Sequence, residues 1–118
     1  MSDEATTIDV EERGDGILII TIQGDLDSMG TRTVESSFSA AVPDRGSTVV
    51  IDLSNVGFIS SAGMAMLLVK GKALRQGGGS MSLAGASRRV YEVLALAGFH
   101  ELFMVYPTLD EALEGLGG

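Results

Sequence analysis

The run Ser47-Thr48-Val49-Val50-Ile51-Asp52-Leu53 is nearly continuous β-branched and apolar sequence. A strand of that kind has no polar face to show to water, so it suits the middle of a sheet covered on both sides. Such a strand needs helices for cover, and the flanking sequence supplies them in alternation. Thr7 to Val10 begins a short strand, Arg13-Gly14-Asp15-Gly16 reads as a turn, and Ile17 to Ile22 is a second strand, so the two form a hairpin. After the Gly24 to Ser28 loop, Val34, Phe38 and Ala41 recur at helical spacing, and Pro43 closes that helix. Asp27 or Ser28 is its cap.

The alternation continues to the end of the chain. A helix is expected from Ser60 or Ser61 to about Gln76, where Gly77-Gly78-Gly79 breaks it. Met81, Leu83 and Ala84 mark a strand, and Ser87 caps a helix with the apolar face Val90, Leu94 and Ala97. Gly98 ends that helix, with Phe99 as the apolar residue beyond it. Leu102 to Tyr106 reads as a last strand, and Thr108 and Glu111 have the spacing of a capping box on a last helix. The predicted order is β-β-α-β-α-β-α-β-α. It describes an α/β fold with a mixed, mostly parallel sheet, an antiparallel edge strand and about four helices. All 118 residues are expected to form one domain, with residues 1–5 frayed.

Composition narrows the function. Eight Lys and Arg against sixteen Asp and Glu give a net charge of −8. A polyanion is a poor ligand for nucleic acid, so none is expected. Cysteine is absent and His100 is the single histidine, which removes thiolate chemistry and two-histidine zinc motifs. A Ser-His-Asp triad is equally ill-served, so no enzyme, cofactor or metal is expected. The longest apolar run, Ala62 to Val69, falls far short of the roughly 20 residues a membrane span needs. The acidic start Met1-Ser2-Asp3-Glu4 lacks the pattern of a signal peptide. A cytoplasmic protein without membrane insertion is the expectation.

Functional loops in open α/β sheets lie at the carboxyl ends of the parallel strands. Here Ser60, Ser61 and Gly63 stand where a strand hands over to a helix, and free N–H groups there favour an anion. The alternative is that Ser60 or Ser61 only caps the helix. On the helix that follows, Met64, Leu67, Leu68, Gly71 and Leu74 share the face expected on the sheet. Ala65, Met66, Val69 and Ala73 lie opposite, uncharged and flanked by Lys70 and Lys72. That face is either a protein-docking surface or covered by another element. Asp25 and Asp27 could hold Mg²⁺ or simply shape the turn. Arg88 and Arg89 could reach a phosphate or form a solvated face, and His100 is expected to be exposed.

The run Asp52-Leu53-Ser54-Asn55-Val56-Gly57-Phe58-Ile59-Ser60-Ser61-Ala62-Gly63-Met64 resembles the signature of the STAS domain. That domain is shared by bacterial anti-sigma factor antagonists and the cytoplasmic tails of sulfate transporters. Gly24-Asp25-Leu26-Asp27 resembles its second hallmark, and Leu96-Ala97-Gly98-Phe99 a weaker third. The resemblance covers nearly the whole chain and implies the STAS fold.

It also implies a role. The family's regulatory motif is commonly Asp-Ser-Ser-Gly, and here the four positions read Ser60, Ser61, Ala62, Gly63. The phosphoacceptor maps onto Ser61, while Ser60 replaces the family's aspartate and Ala62 its second serine. Asp27 maps onto a position implicated in contact with the kinase. The implied function is an anti-sigma factor antagonist in a partner switch that regulates transcription. Its partners are an anti-sigma factor of the serine-kinase type and a resetting serine phosphatase. The expected partner surface comprises Asp25, Asp27, Ser28, Phe58, Ser60, Gly63, Met64, Ala65, Met66 and Val69. A STAS subunit of a lipid or anion transport complex is the alternative.

Overall fold

In the computed structural model the described residues are 5–13, 16–43 and 46–117. Five strands are present among the described residues: β1 (Thr7–Glu12), β2 (Ile17–Gln23), β3 (Thr48–Asn55), β4 (Ser80–Ala84) and β5 (Met104–Tyr106). They form one sheet in the order β1-β2-β3-β4-β5, with β1 antiparallel to β2 and every other pair parallel. The apolar run predicted to be central is β3, the middle strand, with residues from Val49 to Leu53 buried.

The helices are α1 (Ser28–Ala41), α2 (Ser61–Gln76), α3 (Arg88–Leu96), α4 (Phe99–Leu102) and α5 (Leu109–Gly117). Alternate residues of β3 serve opposite faces, as strand geometry requires. Val49, Ile51 and Leu53 join Phe38 of α1, Leu67 and Leu74 of α2, Val90 and Leu94 of α3, and Phe99 of α4 in the main core. Val50 faces the other way. There Ile17, Ile19, Ala84 and Ala112 make a smaller cluster, closed by α5 through Leu109, Leu113 and Leu116.

Most boundaries follow the sequence reading. Ser87 accepts from Val90 N at 3.3 Å, and Thr108 accepts from Glu111 N at 3.1 Å, so both predicted caps form. The helix expected to stop at Pro43 ends at Ala41, where Val42 N still donates to Phe38 O at 3.0 Å. Gly14 and Asp15 of the predicted turn, and residues 1–4 of the predicted frayed start, lie outside the described residues. The flanks of that turn are tied: Arg13 N donates to Ile17 O at 2.9 Å.

Two expectations are corrected. Leu102 does not open the last strand; it ends α4, a single helical turn that seats Phe99 in the core. Gly98, at φ 83°, makes the left-handed turn that separates α3 from α4, a conformation that costs a side-chain-bearing residue about 1–2 kcal/mol. The helix count among the described residues is therefore five. The apolar face of α3 also differs, because Ala97 is exposed and Val93 takes its place against the core.

Candidate functional site

The carboxyl ends of β2 and β3 are stitched into one platform. Gly24 N donates to Asn55 O at 3.0 Å and Leu26 N to Phe58 O at 2.8 Å. Ser60 N returns a bond to Leu26 O at 2.9 Å. Leu26, fully buried, and Ile59 form an isolated parallel bridge. The loop is also held from β1's side, where Thr6 Oγ1 donates to Asp25 O at 2.7 Å. Asp52, buried in β3, accepts from Ser54 N at 3.0 Å and shapes the strand's exit.

Two helices start from this platform. Asp27 is the cap of α1, accepting from Gly30 N at 2.7 Å; Ser28 is the first helical residue and is exposed. Of the two uses weighed for Asp25 and Asp27, turn and cap duty accounts for Asp27, and Asp25 is exposed beside it. No group of three His, Cys, Asp or Glu among the described residues could hold a metal ion.

Ser60 caps α2. Its hydroxyl accepts from Gly63 N at 3.3 Å and donates to Leu26 O at 2.8 Å. That commits Ser60, which is half-buried, and leaves Ser61 exposed as the first residue of the helix. Gly63 is buried where α2 crosses the first loop: a Cβ there would lie 2.8 Å from Leu26 O and 2.9 Å from Leu26 Cβ. It presents no side chain to a partner and acts by allowing the close approach.

The outward face of α2 differs from the expectation at two residues, Met66 and Ala73, which are both half-buried. Ala65 is exposed and Val69 is 68% exposed, but Met66 is half-buried against the main core. It lines a groove of about 210 Å³ between α1 and α2, beside Phe38 and Glu35. Met64 is half-buried on the core side. Ser61, Ala65, Val69, Lys72 and Gln76 are all exposed, and at about 100° per residue they fall within one arc of about 80°. They form a ridge along the helix that begins at Ser61.

At the ridge's upper end stand two large apolar side chains. Phe58 is 45% exposed, and Met29, in the first turn of α1, is 78% exposed. Sequence reasoning named Phe58 and passed over Met29. The signal was available, since Met29 lies across the helix from Phe38, nine residues on and about 180° around. Arg88 pairs with Glu92 at 3.5 Å on an exposed face of α3. His100 is exposed and packs edge-on against Tyr91, with centroids 4.7 Å apart.

Residues 7–112 match the family model described as the STAS domain. The chain belongs to the STAS domain family. BtrV of Bordetella bronchiseptica, provisionally named an anti-sigma factor antagonist, is 36% identical to this STAS chain over 98 residues, or 83% of this chain and 84% of BtrV. The anti-sigma-F factor antagonist RsfB of Mycobacterium tuberculosis is 27% identical over 117 residues, 98% of this chain and 93% of RsfB. A crystal structure of an anti-sigma factor antagonist from Mycobacterium paratuberculosis aligns with a TM-score of 0.78 at 30% identity, covering 95% of this chain and 94% of that one. No helix among the described residues of this STAS chain is long and apolar enough to cross a membrane.

Proposed function

We propose that this chain is an anti-sigma factor antagonist whose docking is switched by phosphorylation of Ser61. In the unmodified state the platform and the α2 ridge bind an anti-sigma factor of the serine-kinase type in the cytoplasm, which frees a sigma factor. The kinase transfers the γ-phosphoryl group of ATP to Ser61 Oγ, the hydroxyl proton leaves, and ADP is released. A serine phosphatase hydrolyses the ester and resets the switch. The STAS chain itself catalyses none of these steps.

One observation carries the choice of residue: the Ser60 hydroxyl is occupied on both sides by Leu26 O and Gly63 N, whereas Ser61 is exposed at the head of the ridge. A phosphate on Ser61 adds about 1.5 to 2 negative charges. The fold tolerates them, because they sit at the positive end of the α2 dipole. The dock does not, because an unpaired dianion in a water-excluding interface costs several kcal/mol. The names carried by the relatives support the choice of partner class.

The test uses anti-sigma factors from the same genome, each purified. Incubation with ATP and mass spectrometry should place phosphate on Ser61, and Ser61→Asp should fold normally while binding at least about tenfold more weakly. Phosphate confined to Ser60, or full affinity in Ser61→Asp, overturns Ser61 as the switch. Stable co-purification with a transporter in place of any anti-sigma factor overturns the partner class.

A further inference from the structure

The chain carries a net charge of −8, yet α2 holds Lys70, Lys72 and Arg75 and no acid along its 16 residues. Most acids gather elsewhere, with Asp9, Glu11 and Glu12 on the β1 edge and Asp110, Glu111 and Glu114 on α5, while Glu101 stands next to Leu102 on α4. A basic helix in an acidic protein marks the face that an acidic partner can approach, since the rest of the molecule repels it. Arg75 alone is accounted for by the helix dipole, which favours cations in the last turn. Lys72 lies a turn earlier, on the exposed ridge.

Lys72, Arg75 and Gln76 surround Leu102 in a shallow depression of about 400 Å³. Arg75 Nη1 donates to Leu102 O at 3.3 Å, which ties the guanidinium to the end of α4 at the rim. The depression therefore combines two cations with an apolar wall. A side chain with a short aliphatic stem and a carboxylate head matches that chemistry: the stem packs on Leu102 and the head meets Lys72 and Arg75.

We propose that this depression is a socket for a Glu or Asp side chain of the anti-sigma factor docked on α2. The inference rests on the docking reading above and adds the partner's chemistry and direction. Lys72 stands about 16 Å along the helix from Ser61. The element that lies on the ridge places apolar side chains against Ala65 and Val69 and an acid against Lys72 and Arg75. At the opposite end Asp25 and Asp27 favour a cation. This polarity, acidic at the platform and basic at the socket, admits one orientation of the partner and penalises the reverse.

The experiment measures the affinity of a purified anti-sigma factor from the same genome for wild type, Lys72→Ala, Lys72→Glu, Arg75→Glu and Val69→Lys. Lys72→Glu and Arg75→Glu should weaken binding by at least about tenfold in low salt, Lys72→Ala by about threefold, and the deficits should shrink in about 0.5 M salt. Both cations are exposed, so circular dichroism and thermal midpoints should match wild type. Wild-type affinity in Lys72→Glu and Arg75→Glu, with binding lost in Val69→Lys, overturns the socket and leaves the dock standing. Wild-type affinity in all four variants overturns the α2 dock itself. A loss in Lys72→Glu that high salt does not relieve also overturns the socket, because the interaction is then not between charges.

Discussion

The Ser60 hydroxyl and the Leu26 carbonyl, 2.8 Å apart, join the start of α2 to the loop that starts α1. The same hydroxyl accepts from Gly63 N. One side chain thus closes a helix end and clamps two loops. Ser60→Ala should lower stability by about 1–2 kcal/mol. Ser61→Ala, at an exposed site, should stay within about 0.5 kcal/mol of wild type. Urea unfolding monitored by circular dichroism separates the two serines without any partner present.

Gly63 is the second point of contact between the loops. A methyl group there would press on Leu26 O and Cβ and come within 3.1 Å of Ile59 Cγ1. These atoms belong to buried residues that bridge the loops following β2 and β3, so they cannot move away cheaply. Gly63→Ala should cost about 1–3 kcal/mol, read as a lower urea midpoint with an unchanged slope.

Met66 and Val69 are neighbours on α2 with opposite fates. Met66→Lys should destabilise the fold by about 1–3 kcal/mol, because it strips apolar contact from the groove beside Phe38. Val69→Lys should leave the thermal midpoint unchanged and weaken partner binding by about tenfold or more. Paired thermal melts and titration calorimetry give both readings. Met66→Lys at full stability would return Met66 to the exposed face.

The other side of α2 supplies a coupled pair. A Cβ on Gly71 would sit 2.5 Å from Phe103 Cζ and 3.0 Å from Met81 Sδ. Gly71→Ala alone should therefore destabilise by about 1–3 kcal/mol through overpacking. Combined with Phe103→Leu, which withdraws the ring edge, the losses should be less than additive by about 0.5 kcal/mol or more. A double-mutant cycle in urea measures the coupling.

The sequence carried the element order because β-branched runs, serine caps and glycine stops agree along most of this chain. Ser87, Thr108 and the break at Gly77 each mark a boundary through local chemistry alone. Phe99 to Leu102 was misread because a single helical turn has too few residues to show a period, and Leu102 and Phe103 resemble the start of a strand. The face of α2 was legible as a wheel, but its edges were not. Which flank is covered depends on α1, which packs beside Met66 from 30 residues away in sequence. The same limit applied to the two serines. Spacing allowed either to cap α2, and the distances from Ser60 to Leu26 and Gly63 decided between them.

The sheet also acts as a partition. The ridge stands on α2, on the side packed by α1 to α4, while α5 rests on a separate cluster around Val50 and Ala112 and meets the socket's surroundings only at its end, where Leu116 lines a hollow with Arg75 and Leu102. The sheet therefore lies between most of α5 and the ridge on α2. A probe attached at exposed Glu114 will register unfolding of the chain and stay silent to the arrival of a partner. Reporting on docking requires a label on the far side, near Met29 or Gln76. The molecule thus offers an engineer one surface for handling and another for signalling.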